Sequence, residues 1–505
     1  MVAKMHSAGM FGIKSFIVEC ECDISRGLPC FDIVGLPDAA VKESKDRVRA
    51  SLKNSGFEYP VSRITVNLAP ANLKKEGPIY DLPILMAMLV ASRQIRANLD
   101  DCAFIGELSL TGELRPARGV LAMAIEIANA GFKKLFIPHE NAAEASVVAG
   151  IEVFAIKNIT EIIEHIRGLN PLYCIKPEDF EAEENLPEIL DFCDVKGQFV
   201  AKRALEIAAA GGHNVLLIGP PGSGKSMLAK RLGSILPNMT FAESIETTKI
   251  HSIAGTLPAK TQLIKSRPFR SPHHTVSPAG LTGGGSYPRP GEISLAHNGV
   301  LFLDELPEFS RQSMEVLRQP LEDGIVNISR VAGTLSYPCD ITFVAAMNPC
   351  PCGFFGAEHK KCVCSTQTVT KYLAKVSGPM LDRLDLHIEV PAINFKELDD
   401  ATKGESSAQI RERVTKARAI QNERFGTYAN ANMTSADVKK YCELDEKARD
   451  FLRQAFERMG MSARGYDRVM KVARTIADLA ASENIKLEHI AEAVQYRSLD
   501  RKYWG

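Results

Sequence analysis

Short runs of β-branched and aliphatic residues alternate with amphipathic stretches along the first part of the chain. Residues 13–18, 64–66 and 135–137 predict strands, while Asp81–Ala91 and 120–130 predict helices. That alternation describes one α/β domain over residues 1–172. Composition then shifts. Residues 176–188 are rich in Asp, Glu and Pro with few apolar anchors, which predicts a solvated acidic linker within 173–190. Three runs follow that are apolar on both faces: Val215–Ile218, 300–303 and 341–345. Strands of that kind suit a buried parallel sheet with helices between them, so 191–393 reads as a second α/β domain. After residue 394 the strand signal stops. Helical spacing over 409–423, 445–459 and 467–482 predicts an all-helical domain from 394 to 505. The chain carries neither an internal repeat nor a low-complexity tract.

Composition narrows the class. The 505 residues are 45% hydrophobic and 24% charged, which is ordinary for a globular protein. An apolar stretch at 82–91, the longest, is far shorter than the ~20 residues that span a bilayer, and the N-terminal segment lacks a secretory core. A cytoplasmic location with no membrane partner is expected. Lys plus Arg and Asp plus Glu both total 61, so no global positive field is available for a polyanion. Any nucleic-acid binding must use local patches.

The chemistry begins after the first buried strand. Gly219-Pro220-Pro221-Gly222-Ser223-Gly224-Lys225-Ser226 satisfies G-x-x-x-x-G-K-[ST] between a strand and a helix. Its glycines let backbone N–H groups curl around phosphate oxygens, at the positive end of the following helix. Lys225 is expected to reach the β- and γ-phosphates of ATP, and Ser226 to ligate magnesium. A second apolar strand delivers Asp304 and Glu305 at its C-terminal end, where ligands bind in open parallel sheets. Asp304 would share the magnesium and Glu305 would polarise the attacking water, so the pair points to hydrolysis rather than passive binding. At the tip of the third strand, Asn348 is suited to orient water near the γ-phosphate, although Asn348-Pro349 alone is also an ordinary turn signal.

With these residues in order, the chain resembles the AAA+ ATPases, in particular the magnesium-chelatase-like branch that includes the ComM/YifB family. Its signature is similar to Arg267-Pro268-Phe269-Arg270-Ser271-Pro272-His273-His274, to Gly283-Gly284-Gly285, to the stretch from Pro290 through Gly299, and to Asn348-Pro349-Cys350-Pro351-Cys352-Gly353. The resemblance implies a P-loop AAA+ core followed by a helical lid, the magnesium-chelatase-like C-terminal domain, and it covers nearly the whole chain. It implies that Arg383 is an arginine finger reaching a neighbouring subunit's γ-phosphate and that Arg464 is the second sensor arginine. Read from the residues alone, either could be a surface ion pair. A ring, most simply a homo-hexamer, is implied. The insert containing 283–285, flanked by Arg267, Arg270 and Arg289, resembles a pore loop, with a second one expected in the hairpin over 325–337 near Arg330. An ordered surface loop is the alternative, since few aromatics are interleaved. His273 and His274 could ligate a metal, but neighbours in a Pro-rich loop more often hydrogen-bond locally.

The first domain resembles the Lon-protease domain, a ribosomal S5-like fold. Gly77-Pro78 and Leu110-Thr111-Gly112-Glu113-Leu114 with Pro116 match the surroundings of Lon's serine and lysine, but those positions hold Ile79 and Leu121. Without nucleophile and base a peptidase is not expected. Among the twelve cysteines, Cys350, Cys352, Cys362 and Cys364 form two Cys-x-Cys pairs, with His359 between them. Four thiolates in one loop can close a tetrahedral zinc site; unligated thiols or a redox pair are the alternatives. The functional expectation is an ATP-driven hexameric motor acting on single-stranded or branched DNA, as a helicase or branch-migration enzyme in recombination or natural transformation. A magnesium-chelatase-type motor, or another protein-remodelling ATPase, is the alternative.

Overall fold

The computed structural model describes residues 2–180, 190–258, 260–285, 289–330, 333–357, 360–393, 404–426 and 428–504. Residues 181–189 at the centre of the expected linker, and His359 between the cysteine pairs, lie outside them, as does the Arg330 side chain. The chain divides into two compact units. One comprises Met1–Asn185, Phe241–Ile264 and Val331–Ser336; the other comprises Leu186–Thr240, Lys265–Arg330 and Tyr337–Gly505.

The first unit is built on a seven-stranded mixed sheet in the order Cys30–Val34, Arg63–Ala69, Lys14–Ser25, Val2–Phe11, Cys102–Phe104, Lys134–Pro138, Glu152–Ile156. Val2–Phe11 and Lys14–Ser25 form a long antiparallel hairpin, and the last three strands run parallel. Helix Asp81–Ala91 buries every residue except Val90, which explains why its pattern shows no polar face. Its buried Asp81 is held by Arg47, 2.6 Å from Nε to Oδ2, and accepts from Leu108 N at 3.1 Å. Helix Phe241–Ala254 packs on helix Val120–Asn129. That contact closes on a buried carboxylate: Glu144 accepts from Ser252 Oγ at 2.5 Å, Asn141 Nδ2 at 2.7 Å and Leu121 N at 3.2 Å. Burial pushes the Glu144 pKa up against the pull of these donors.

The second unit carries a five-stranded, wholly parallel sheet in the order Phe269–Arg270, Gly299–Leu303, Ile341–Met347, Val215–Ile218, Leu386–Glu389. Every residue of Val215–Ile218 and Gly299–Leu303 is buried, as two-sided coverage by helices requires. Strands end the region at Glu389, and helices Ser407–Phe425, Ser435–Tyr441, Glu446–Met459, Ala463–Leu479, Leu487–Gln495 and Leu499–Trp504 follow. Four of them start on side-chain caps that satisfy free N–H groups: Ser406, Thr434, Asp445 and Ser462. The helical region is tied to the core by Gln421 Nε2, which donates to Ala210 O at 3.0 Å, and by Arg468 Nη1, which donates to Asp385 Oδ1 at 3.0 Å. Among the described residues no helix is long and apolar enough to cross a membrane.

Candidate functional site

Two neighbouring strands, Val215–Ile218 and Ile341–Met347, end level with one another, Ile218 opposite Met347. Gly219 N then donates to Met347 O at 3.2 Å, so the phosphate loop leaves its strand beside the start of the Asn348 turn. Only glycine fits at 219, because a Cβ there would stand 2.1 Å from Val390 O. Helix Lys225–Ile235 begins directly after the loop, with Gly224 in the left-handed region as its N-cap.

Lys225 folds back into this loop. Its Nζ donates to Gly219 O and Pro220 O, each at 2.9 Å, and to Asn348 Oδ1 at 3.3 Å. Burial pulls the Lys225 pKa down, opposed by the charges of Asp304 and Glu305. Ser226 Oγ donates to Asp304 Oδ2 at 2.6 Å, which brings the two expected magnesium ligands into direct contact. Ser223 Oγ is buried with no hydrogen-bond partner, an orphaned polar group at the loop. Paired oxygen ligands for a hard cation, a buried ammonium and an unsatisfied hydroxyl together fit a magnesium–nucleotide pair.

Glu305 follows Asp304 in an uncommon backbone state. Its φ is 53°, left-handed for a residue with a Cβ, which costs on the order of 1–3 kcal/mol and concentrates at functional sites. Glu305 N donates to Asp304 Oδ1 at 2.9 Å, and the side chain is left 58% exposed. His274 faces this carboxylate: its Nδ1 is 3.9 Å from Glu305 Oε2, and its ring centre is 4.0 Å from that of His273. His273 Nδ1 hydrogen-bonds Thr275 Oγ1 at 2.9 Å.

Arg383 is committed within its own chain. Its guanidinium donates to Arg318 O at 2.8 Å, to Pro379 O at 2.7 Å and to Glu322, and only 11% of the side chain is exposed. Arg464 stands exposed in the first turn of Ala463–Leu479, one turn before Arg468. The Arg468 partner Asp385 also accepts from Asn214 N at 3.0 Å and lies 3.5 Å from His213 Nδ1. Burial would raise the Asp385 pKa, but Arg468, His213 and the Asn214 N–H outweigh it and hold it well below the usual carboxylate range. Sequence reasoning did not find this knot; its only signal was the position of Asp385 two residues after Arg383.

Of the three arginines around the glycine run, two are spoken for. Arg267 donates to Pro237 O at 2.6 Å and to Asn298 O at 2.8 Å, and Arg270 makes a two-pronged pair with Glu292, both bonds 2.7 Å. Arg289 is exposed, on a short strand whose partner is Gly283–Gly284. In the first unit, Ile79 is half-buried and Leu121 fully buried, so neither position offers a nucleophile or a base. The four cysteines of the two Cys-x-Cys pairs do converge, with all four sulfurs within 4.8 Å of one another.

A parallel sheet bearing a phosphate loop, with a carboxylate pair and an asparagine on adjacent strand ends and helices after the sheet, defines an AAA+ ATPase. A family model for magnesium chelatase, subunit ChlI, matches residues 191–398, a second for subunit ChlI of Mg-chelatase matches 20–141, and one for the C-terminal part of subunit ChlI matches 404–497. Competence protein ComM of Haemophilus influenzae is 45% identical over 504 residues, 99% of this chain and 98% of that protein. The YifB protein of Escherichia coli is 43% identical over 499 residues, 98% of this chain and 97% of its own length. DNA repair protein RadA of Bacillus subtilis is 35% identical over 170 residues, 32% of this chain and 35% of that protein. The chain belongs to the ComM/YifB family of magnesium-chelatase-like AAA+ ATPases.

Proposed function

We propose that this ATPase is a homo-hexameric motor acting on DNA in the cytoplasm, as a helicase or branch-migration enzyme in recombination or natural transformation. The ATP half of the reading is carried by the Lys225–Asn348 and Ser226–Asp304 contacts at adjacent strand ends. The DNA half is supported by the relatives' names, a competence protein and a DNA repair protein.

Chemically, Ser226 and Asp304 would hold magnesium, which would supply positive charge to offset that of the phosphates. Lys225 exchanges its carbonyl acceptors for the β- and γ-phosphates of ATP. Glu305 positions water for in-line attack, Asn348 orients it, and Arg383 from a neighbouring subunit neutralises charge developing on the γ-phosphate, with Arg464 reading the nucleotide from the lid. Cys350, Cys352, Cys362 and Cys364 bind a zinc ion; protein washed with chelator should retain about one zinc per chain.

The test is ATP turnover by the purified protein with single-stranded, double-stranded and branched DNA. Stimulation by one of these supports the motor reading, and a rate indifferent to all three overturns it. A second reading, the motor subunit of a metal chelatase, draws support from the subunit ChlI matches. Its mark would be stimulation by a tetrapyrrole-binding partner in place of DNA.

A further inference from the structure

The cysteine pairs lie on a loop that touches the ATP site at two points. Asn348, two residues before Cys350, holds Lys225 Nζ at 3.3 Å. At the far side of the first pair, Gly353 N donates to Cys350 O at 2.9 Å and turns the chain with φ of 84°. A Cβ at Gly353 would stand 2.4 Å from Pro221 Cδ and 2.7 Å from its Cγ, so the turn rests directly on the phosphate loop. Beyond the second pair, Ser365 caps helix Thr366–Leu373. The loop is thus anchored at both ends and seated on Pro221 in the middle.

The sulfurs have the spacing of a ligand set. Cys350 Sγ is 3.3 Å from Cys352 Sγ and 3.6 Å from Cys362 Sγ, and Cys352 Sγ is 3.6 Å from Cys362 Sγ. Four Zn–S bonds of about 2.3 Å arranged tetrahedrally put sulfurs roughly 3.8 Å apart. Cys350 is buried while the other three are partly exposed, which leaves an entry path. Zinc would bind as the thiols release their protons, and its binding free energy would be spent on folding this loop.

We infer that zinc at Cys350, Cys352, Cys362 and Cys364 is a clamp for the phosphate loop: it seats Gly353 on Pro221 and fixes Asn348 against Lys225, so that metal occupancy sets nucleotide affinity although no cysteine is part of the ATP site. This rests on the zinc reading above and adds a consequence that can fail separately. Positioning groups of this kind alter the function of the site they support by roughly 10–100-fold when removed.

The experiment uses the full-length protein, with metal analysis and fluorescent-nucleotide titration run on the same samples. Wild type should hold about one zinc per chain. Cys362→Ser should lose the zinc and bind nucleotide at least tenfold more weakly. Gly353→Ala, which leaves all four thiols in place but drives a methyl into Pro221, should keep its zinc and show a similar loss. Wild type without zinc overturns the metal site itself. Zinc present in wild type and absent in Cys362→Ser, with unchanged nucleotide affinity in both variants, leaves the metal site standing and overturns the clamp. Should Cys362→Ser fail to fold, Cys352→Ser, at another partly exposed member of the set, is read in its place: lost zinc with unchanged nucleotide affinity overturns the clamp.

Discussion

The in-chain bonds of Arg383 make the proposed finger a latched one, and Glu322→Gln tests the latch. To act on a neighbour's phosphate the guanidinium must leave Arg318 O, Pro379 O and Glu322. The two carbonyls belong to the backbone and survive the substitution; only the charge of Glu322 is removed, while its amide can still accept a hydrogen bond. An ion pair with one exposed partner is worth about 0.2–1 kcal/mol. Glu322 is 54% exposed but Arg383 only 11%, which places this pair toward the upper end, about 1 kcal/mol. That value favours the released form by a factor of about 5. Steady-state ATP turnover of the assembled protein, with oligomer size checked in parallel, should therefore rise up to fivefold, and Arg383→Ala should abolish it. If Arg383 were only a structural clamp, Glu322→Gln would leave turnover unchanged and lower resistance to denaturant. That result would refute the reasoning.

Three further outcomes are expected. Glu305→Gln should bind ATP with wild-type affinity and keep its fold, since the side chain is 58% exposed, while hydrolysis falls by about 100-fold or more; unaltered turnover would place the water-positioning carboxylate elsewhere. Asp385→Asn should cost about 3 kcal/mol at neutral pH in chemical denaturation, because it leaves Arg468 without its charged partner. The Asp385 pKa is depressed in the fold, so its contribution is complete above the ordinary carboxylate value of about 3.9 and disappears as pH falls through the folded value. The gap between variant and wild type should accordingly close only below about pH 4. Lastly, Arg289→Ala should reduce DNA stimulation of turnover with basal rate intact, whereas Arg270→Ala should show itself as lost stability, its partner Glu292 being left unpaired.

Legibility in the sequence followed local physics. Asp81–Ala91 and Val215–Ile218 stand where the apolar runs put them, since a fully buried element needs no tertiary information to announce itself. Val2–Phe11 was not recognisable as a strand: its alternation breaks at Ser7-Ala8-Gly9, where consecutive small residues are buried on both sides. The phosphate loop and its carboxylates were fully spelled out because a motif fixes them by spacing. Arg267 and Arg270 looked like free cations for a polyanion, yet the acceptors that consume them lie up to 31 residues away along the chain. Likewise the cysteine spacing could suggest a metal, but only folding places Gly353 on Pro221.

One residue links the parts of the site that the motifs list separately. Asn214, just before strand Val215–Ile218, donates from Nδ2 to Arg383 O at 3.0 Å and accepts at Oδ1 from Phe343 N at 2.9 Å. Its backbone O accepts from Asp385 N at 2.8 Å and Leu386 N at 3.1 Å, and its N–H is held by Asp385 Oδ2. The entry of the phosphate-loop strand, the strand that leads into Asn348 and the segment carrying Arg383 are thus pinned at one point. Through Asp385 the same point reaches Arg468 on the helix whose first turn carries Arg464. A shift of the phosphate-loop strand on nucleotide binding cannot be absorbed at a side chain here, because nearly every polar group of Asn214 is already bonded to one of these elements. It must move the Arg383 segment or the lid helix, or break a bond in this knot. Coupling between ATP and the proposed finger therefore has a physical route inside a single subunit, before any neighbour is present.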